Sequence, residues 1–361
     1  MPANSFGELF KITTFGESHG HSVGVIVDGV PPHLPIDISY IQKEMNRRKP
    51  GQSEVTTPRK ESDNVHIASG VFEGRATGTP IMLVLHNQDH DSSAYDNLKD
   101  VFRPGHADFT YTAKYGIRDF RGSGRSSGRE TAGRVAAGAI AKHFLSTFGI
   151  TITAYTKSIG DIHCETIDFD VIEKNMVRAC DPEAAKRMEA YVLSLKEKKE
   201  SCGGVIECLV QGLPPGIGEP VFDKLDALLA HAVLSVGATK GIEFGSGFEA
   251  ARMVGSEHND SLRKQGFVSN NAGGILGGIS NGQDLLFRTA VKPTSSIEQE
   301  QETVDRFKNE QTILVKGRHD PCICPRIVPV IEAMTALVLA DCMKRQHALH
   351  CNKEGYNVQN T

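Results

Sequence analysis

The sequence predicts a mixed chain of strands and helices, built as two related halves that pack as one unit. Three observations carry this. A strand-length apolar run, then x-Gly-x-Pro-Pro, then a helical stretch occurs twice, as VIVDGVPPHLP before Ser39 and as CLVQGLPPGIGEP before Val221. A weaker echo follows each at a similar offset, SGVFEGRATG at 69–78 and GSGFEAARMVG at 245–255. Apolar runs bounded by turn residues also alternate with helix-periodic segments along the chain. Units that cannot bury their apolar faces alone bury them against each other, so a ligand site is expected between halves of about 1–150 and 151–347.

In the first half, Val23–Val27 reads as a buried strand after the loop Gly16–Gly20, which carries His19. A helix is predicted from Ser39, capped with Gln42 and ending at Arg47, Arg48 and Lys49, whose charges would complement its C-terminus. Residues 50–63 read as an exposed loop, Ile81–Leu85 as a strand and Asp89–Asp91 as a polar turn. Phe102–Asp108 (FRPGHAD) places His106 in a glycine and proline turn. A lone turn histidine is usually a surface residue, so neither histidine means much without company.

Arg118–Arg134 carries five arginines among closely spaced glycines. Ser127 and Glu130 stand as a capping box for a helix running through Phe144 to a stop at Gly149. Its unpaired N–H groups would face the Gly122–Gly124 loop, flanked by Arg125 and Arg129, which suits phosphate or carboxylate. A plain basic surface helix is the alternative. No G-x-x-x-x-G-K-[ST] loop is present, and the glycines follow a charged segment rather than an apolar strand, so a dinucleotide fold is weakly supported.

In the second half, Thr151–Tyr155 and Val205–Val210 read as strands, and Pro182–Lys199 as a solvated helix capped by Asp181. Val221–Val236 reads as a core helix with Phe222, Leu225, Leu229, Val233 and Val236 on one stripe. The glycine-rich run 269–279 suits either close approach of a flat ligand or packing on another backbone. Lys292–Ile297 offers a cation and hydroxyls, and Ile327–Leu339 a helix with Pro329 in its first turn. The tail 348–361 is expected to be disordered.

The 361 residues carry 39% hydrophobic and 23% charged residues and a net charge of −4, so the arginine cluster is local and small anions suit it better than nucleic acid. No basic and apolar leader opens the sequence and no long apolar span crosses it, which predicts a cytoplasmic protein with no membrane contact. Eight scattered cysteines without a C-x-x-C pair suit free thiols, and His347, His350 and Cys351 make a poor metal site, so no metal is expected.

Taken together, FGESHG with VGVIVDGVPP, then FRPGHADFTY, RGSGRSSGRETAGRVAAGAIAK, SNNAGGILGGIS, KPTSSI and GRHDPC resemble the chorismate synthases, from about Asn4 to Arg345. The resemblance implies an α+β layered sandwich, with helices packed between antiparallel β-sheets, as one catalytic domain over 1–347, usually a homotetramer. It implies a lyase that converts 5-enolpyruvylshikimate-3-phosphate to chorismate and phosphate by anti-1,4-elimination with reduced FMN, the last step of the shikimate pathway to aromatic amino acids. His19, His106 and Asp320 match the family's catalytic positions. Arg48, Arg129 and Arg134 match substrate ligands. Arg125, Ser126, Ser127, Gly237, Ala238, Gly277, Lys292, Pro293, Thr294, Ser295, Ser296 and Arg318 match positions lining the flavin. Arg48 also matches an NADP contact, but Glu54 stands where many relatives carry a basic residue. That departure, and a length without an obvious reductase insertion, favour an external flavin reductase over NADPH as the source of reduced flavin. The competing readings are a phosphate-handling transferase using the Arg-rich loop and a basic-loop nucleic-acid-binding module.

Overall fold

Alternation of side chains, interrupted by the buried Gly24, builds the central strand of the first sheet. In Ser22–Asp28, Val23, Val25 and Val27 are buried while Ile26 and Asp28 face away, the period-two pattern of a half-covered strand. The computed structural model of the protein describes residues 3–57, 61–88, 98–315 and 319–349. In chain order the first half contributes β1 (Ser5–Phe6), β2 (Lys11–Gly16), β3 (Ser22–Asp28), α1 (Ile38–Arg48), β4 (His66–Ser69) and the hairpin β5 (Val71–Phe72) with β6 (Arg75–Ala76). It continues with β7 (Ile81–His86), α2 (Asp108–Tyr115) and α3 (Thr131–Ser146). The second half contributes β8 (Thr151–Ile159), β9 (Ile162–His163), α4 (Pro182–Glu197), β10 (Gly204–Gln211), α5 (Leu225–Leu234) and β11 (Thr239–Phe244). There follow a helical turn α6 (Gly255–His258), the hairpins β12 (Leu262–Arg263) with β13 (Gly266–Phe267) and β14 (Ile275–Leu276) with β15 (Ile279–Ser280), and then β16 (Leu285–Val291). A last hairpin, β17 (Glu300–Val304) with β18 (Glu310–Leu314), precedes α7 (Cys324–Leu349).

Two antiparallel five-stranded sheets result, ordered β1-β2-β3-β7-β4 and β11-β16-β10-β8-β9. Read from its short edge strand, each sheet places the strand before the Gly-x-Pro-Pro turn, β3 or β10, at its centre. The echoed segment leaves β4 in one sheet and β11 in the other, at the far edge of each. Helices α3 and α7 lie between the sheets: α3 packs on β2, β3 and β7 and against α7, which in turn packs on β8 and β10. Both are apolar almost all round, and α7 is buried without a break from Ile327 to Met343. This is the expected α+β sandwich with helices between antiparallel sheets.

Small residues make the two central approaches possible. Gly133 of α3 lies over β3 so closely that an added Cβ would stand 2.8 Å from the Gly24 carbonyl. Gly138 meets Ala333 of α7, where a side chain would overlap the Ala333 Cβ.

Several local expectations are corrected. Asp37, not Ser39, caps α1, accepting from the Ser39 N–H at 2.8 Å, while Gln42 reaches away to Asp63 and Val65. The α5 helix begins at Leu225, because that N–H is taken by the Gly278 carbonyl and Lys224 is extended. Phe222 therefore drops out of the core stripe and is 90% exposed, whereas Leu225, Leu229, Val233 and Val236 are buried. Helix α4 keeps its Asp181 cap but buries Ala184, Ala185, Met188 and Val192, so only part of it is solvated. Pro329 lies inside α7, not in its first turn. Its missing N–H leaves the Pro325 carbonyl free for Arg178 Nη1 at 2.6 Å, which lets the proline stay within a continuous helix. Helix α7 also runs through Leu349, past the expected start of the tail at Ala348; residues 350–361 and the Asp89–Asp91 turn lie outside the described residues.

Charge is carried into this middle layer only as a matched set. Glu332 of α7 receives Arg47 Nη1 at 2.5 Å, Lys142 Nζ at 2.8 Å and the Ala154 N–H at 3.1 Å; Glu44 shares both cations. Burial alone would raise the Glu332 carboxyl, but Lys142 and Arg47 overcome it and hold it at about 2. Glu332→Ala removes one of the carboxylates that hold the partly buried Arg47 and Lys142, leaving Glu44 to both, and is expected to cost about 1.5–3 kcal/mol of stability, read from urea midpoints. Because the folded value lies below the ordinary 4.5, the wild-type contribution is complete above about pH 4.5 and declines as pH falls toward 2. The variant's stability should show a correspondingly shallower acid limb.

Candidate active site

Four loops and the start of α7 converge on one cleft of about 380 Å³ at the junction of the halves. From the first half come Arg48 at the end of α1, the 103–107 turn and the 122–131 loop into α3. From the second come Val236–Ala238, the 292–296 turn and 319–330. Ser295 ties the halves together, donating to the Gly105 carbonyl at 2.7 Å while receiving Lys292 Nζ at 2.5 Å.

The Arg-rich loop is bent by necessity. Gly122, Ser123 and Gly124 all have positive φ, at 59°, 71° and 51°, and only glycine takes that conformation without strain. Ser127 then caps a single tight turn, Gly128–Glu130, before α3 begins at Thr131. The expected capping box is not completed. Ser127 Oγ accepts from the Arg129 N–H, but Glu130 accepts from Thr14 Oγ1 and Arg134 Nε, both at 2.8 Å.

The described part of segment 50–63, residues 50–57 and 61–63, is exposed at Gly51, Gln52 and Glu54 but not throughout. Val55, Thr56, Thr57, Glu61 and Asp63 are buried, because Asp63 supplies the counter-charge for two guanidiniums. Its Oδ2 receives Arg48 Nη2 at 2.7 Å and its Oδ1 receives Arg129 Nη1. Burial opposes ionisation of Asp63, yet the two arginines hold its carboxyl at about 2. Arg48 is itself only 1% exposed, and burial pushes its guanidinium down to about 10 against the pull of Asp63, with Arg326 and Arg129 adding to the fall. It therefore does more than complement a helix end.

The 103–108 turn is a second ion cluster. Asp108 takes Arg103 Nε at 2.7 Å and Nη2 at 2.8 Å, with Arg118 Nη1 at 3.3 Å and His106 Nδ1 at 3.2 Å. Arg103 Nη2 also donates to Ser123 Oγ at 2.7 Å and lies 3.1 Å from His106 Nδ1. These cations outweigh burial and hold the Asp108 carboxyl far below its usual range. Across the cleft, Asp320 accepts from the Thr57 N–H at 2.9 Å and pairs with Arg326. Beside it, burial, Arg103 and His106 push His319 down to about 4 against Asp320, so its imidazole is neutral at pH 7.

Of the sequence-predicted residues, the cleft brings together Arg48, His106, Ser126, Ser127, Arg129, Gly237, Ala238, Lys292, Thr294, Ser295, Ser296 and Asp320, with Pro293 inside the same turn. His19 stands just behind it: Ser18 lines the cleft, and the buried His19 ring rests directly on Gly122. Arg125 and Arg134 are not among the lining residues. Arg125 reaches Thr14 Oγ1 at 2.7 Å and the Gly16 carbonyl at 3.1 Å, and Arg134 reaches Glu130 and Ser235 Oγ. Gly277 turns the β14–β15 hairpin and is likewise not a lining residue. In that glycine run, Gly273 and Gly274 approach the backbones of Gly245 and Asp284. Arg318 lies outside the described residues, and Glu54 is exposed on the 50–57 segment. Sequence reasoning gave no role to Arg103, Asp63, His319 or Arg326. Arg103 had a signal, a cation in the same short turn as His106 and Asp108.

The lining suits a flat, phosphorylated ligand beside an acidic one. Val236, Ile323, Ile327 and Val330 offer an apolar floor, and Ser126, Ser127 and Ser296 offer hydroxyls. Arg48 Nε, Arg129 Nη2, Thr294 Oγ1 and His319 Nε2 are buried without a hydrogen-bond partner. Such atoms normally find partners, and a bound polar molecule would supply them. Among the described residues no cluster of three metal-ligating side chains occurs, and no helix is long and apolar enough to cross a membrane. The seven described cysteines are free and buried.

Comparison with known proteins gives the same answer from three directions. The family model for chorismate synthase matches residues 10–344. The chain is 56% identical to the chorismate synthase of Methanococcoides burtonii over 98% of its own length and 99% of the relative's. It is 57% identical to that of Methanosarcina mazei, over 96% and 97%, and 53% identical to that of Chloroflexus aurantiacus, over 96% of each. A crystal structure of chorismate synthase superposes with a TM-score of 0.76 at 32% identity, covering 94% of this chain and 93% of that one.

Gly122→Ala tests the seating of His19. The variant is expected to lose about 1–3 kcal/mol through the strained backbone and the clash, and to shift the His19 ring resonances in a histidine-labelled NMR spectrum. Unmoved resonances would show that the loop yields without displacing the ring.

Proposed function

The chain belongs to the chorismate synthase family, lyases of chorismate formation, and we propose that its cleft takes 5-enolpyruvylshikimate-3-phosphate and reduced FMN together. One observation carries this reading: Arg48, Arg103, Arg129, Arg326 and Lys292 line a single cleft in which Asp320 is the lining carboxylate, with Asp63, Asp108 and Glu61 paired to the arginines from behind. That excess of positive charge suits a substrate with two carboxyl groups and a phosphate.

Arg48 and Arg129 hold the phosphate or a carboxylate through the N–H groups they leave unpaired. Charge that develops on the departing phosphate meets donors already in place, so little reorganisation is needed during elimination. His19, behind Gly122, carries the proton for the leaving phosphate. His106, fixed by Arg103 and Asp108, holds a proton at the flavin side of the cleft. Asp320, anchored by Thr57 and Arg326 in the cleft lining, would assist the loss of hydrogen from C6. The hydroxyls of Ser126, Ser127 and Thr294–Ser296 and the backbone at Gly237–Ala238 fit the flavin, with Ala238 held at a φ of 74°. When bound, the reduced flavin supplies the electron-rich partner for departure of the C6 hydrogen.

The halves 1–150 and 151–347 work as one catalytic domain, since each lines part of the cleft. The homotetramer follows from the family resemblance, and Phe248, Val254, Leu262 and Val268, all exposed on the second half, offer apolar surface for contacts between subunits. The free buried thiols support a reducing, cytoplasmic setting. Exposed Glu54 disfavours an NADPH contact at that position and supports an external flavin reductase. The transferase and nucleic-acid readings find no support.

Anaerobic incubation with reduced FMN and 5-enolpyruvylshikimate-3-phosphate is expected to yield chorismate and phosphate in equal amounts. His19→Ala and His106→Ala should each turn over roughly 100- to 10,000-fold more slowly. Oxidised FMN with NADPH alone should give no chorismate. Absence of product with reduced FMN would defeat the reading, and undiminished turnover in either histidine variant would remove that residue's role.

A further inference from the structure

Asp63 is unusual on three independent counts. It is fully buried, it sits at a φ of +48° although it is not glycine, and its two carboxylate oxygens go to different arginines of the cleft wall. A non-glycine residue in the left-handed region is retained where the surrounding structure needs its side chain in that place. Here the side chain divides two guanidiniums that are 1% and 4% exposed and would otherwise repel each other at low dielectric.

The remaining bonds of both arginines are also assigned. Arg48 Nη1 lies 3.3 Å from the Gly128 carbonyl and 3.4 Å from Thr131 Oγ1, and Arg129 Nε donates to Asn87 Oδ1 at 2.9 Å. One nitrogen is left without a hydrogen-bond partner on each, Arg48 Nε with one N–H and Arg129 Nη2 with two; the latter is 3.9 Å from Glu61 Oε2, too long for a hydrogen bond. Asp63 thus does two things at once. It fixes the planes of both guanidiniums so that these donors stay available to a ligand, and it is the carboxylate that both share, Glu61 standing farther off at 3.9 Å from Arg129 alone.

We infer that Asp63 is a positioning residue that serves as the built-in counter-ion of the cleft, holding Arg48 and Arg129 in place while no anion is bound and weakening their grip on phosphate once it is formed. This rests on the reading of Arg48 and Arg129 as ligands of the substrate's anionic groups. A pair of buried arginines with no internal carboxylate would bind a phosphate dianion more tightly and would depend on it for stability. With Asp63 present, the empty site is stable and the product anion leaves.

The test uses the full chain and inorganic phosphate as the probe. Asp63→Asn keeps the size of the side chain, and asparagine tolerates the left-handed backbone. Calorimetry should show Asp63→Asn binding phosphate on the order of tenfold more tightly than the wild type, with a larger rise in melting temperature as phosphate is added. In steady state, KM for the substrate should fall together with kcat, with phosphate a stronger product inhibitor. A merely structural role would lower stability without this split. If Asp63→Asn is unfolded in phosphate-free buffer, phosphate is expected to restore its fold; a variant that stays unfolded at saturating phosphate overturns the inference. So does a folded variant that binds phosphate no more tightly than the wild type. Arg129→Gln separates the two layers of the argument. If it leaves wild-type phosphate binding unchanged, the assignment of the arginines fails; if it weakens binding while Asp63→Asn does not strengthen it, only the role of Asp63 fails.

Discussion

A guanidinium or ammonium group taken out of water without a counter-charge costs several kcal/mol, and this chain buries many of them. The middle of the fold is therefore arranged as cation and carboxylate sets: Arg47 and Lys142 on Glu332 and Glu44, Arg48 and Arg129 on Asp63, Arg103 and Arg118 on Asp108, and Arg326 on Asp320. The first set is complete within the helical layer and serves stability. The other three sit around the cleft and keep donors to spare. The same physical rule thus separates the protein's structural charge from its ligand-binding charge.

Those sets are held together by packing that leaves no slack. Gly138 against Ala333 brings α3 and α7 into direct backbone contact, and Gly133 seats α3 on β3. The entry of α3 and the start of α7 are thereby fixed relative to each other, and these are the segments that carry Arg129 and Arg326. Asp341 on α7 adds a tie to the first sheet, its Oδ1 receiving the Glu8, Leu9 and Phe10 N–H groups at 3.0, 2.6 and 2.8 Å. The cleft forms where the two halves meet because neither half alone carries both the Arg-rich loop and the hydroxyl-rich turn.

Much of the fold was legible because its signals are local. Alternating valines mark β3, the apolar run marks β7, and Asp181 followed by Pro182 marks the start of α4. The repeated Gly-x-Pro-Pro turn pointed to the central strands of both sheets. Of the motif residues, His106, Arg129, Ser126, the 292–296 turn and Asp320 converge on the cleft. What stayed hidden depends on distant partners. Asp63 meets Arg129 across 66 positions and Arg48 across 15, a spacing that no periodicity records, so its segment read as an exposed loop. Phe222 fits the helical stripe by spacing alone, but the Gly278 carbonyl claims the first N–H and leaves it outside. Arg125 and Arg134 look interchangeable with Arg129 in sequence, and only the location of Glu130 and Thr14 shows that both are engaged outside the cleft lining.

On the proposed function, one composite cleft between the halves receives both the phosphorylated diacid and the flavin. Hydrogen–deuterium exchange with and without 5-enolpyruvylshikimate-3-phosphate and FMN tests this most directly, because it maps protection over the whole chain at once. Protection is expected together in the segments around Arg48–Thr57, Arg103–Ala107, Gly122–Thr131, Val236–Ala238, Lys292–Ser296 and His319–Val330. Protection confined to one half, or centred on segments that do not line the cleft, would contradict the account.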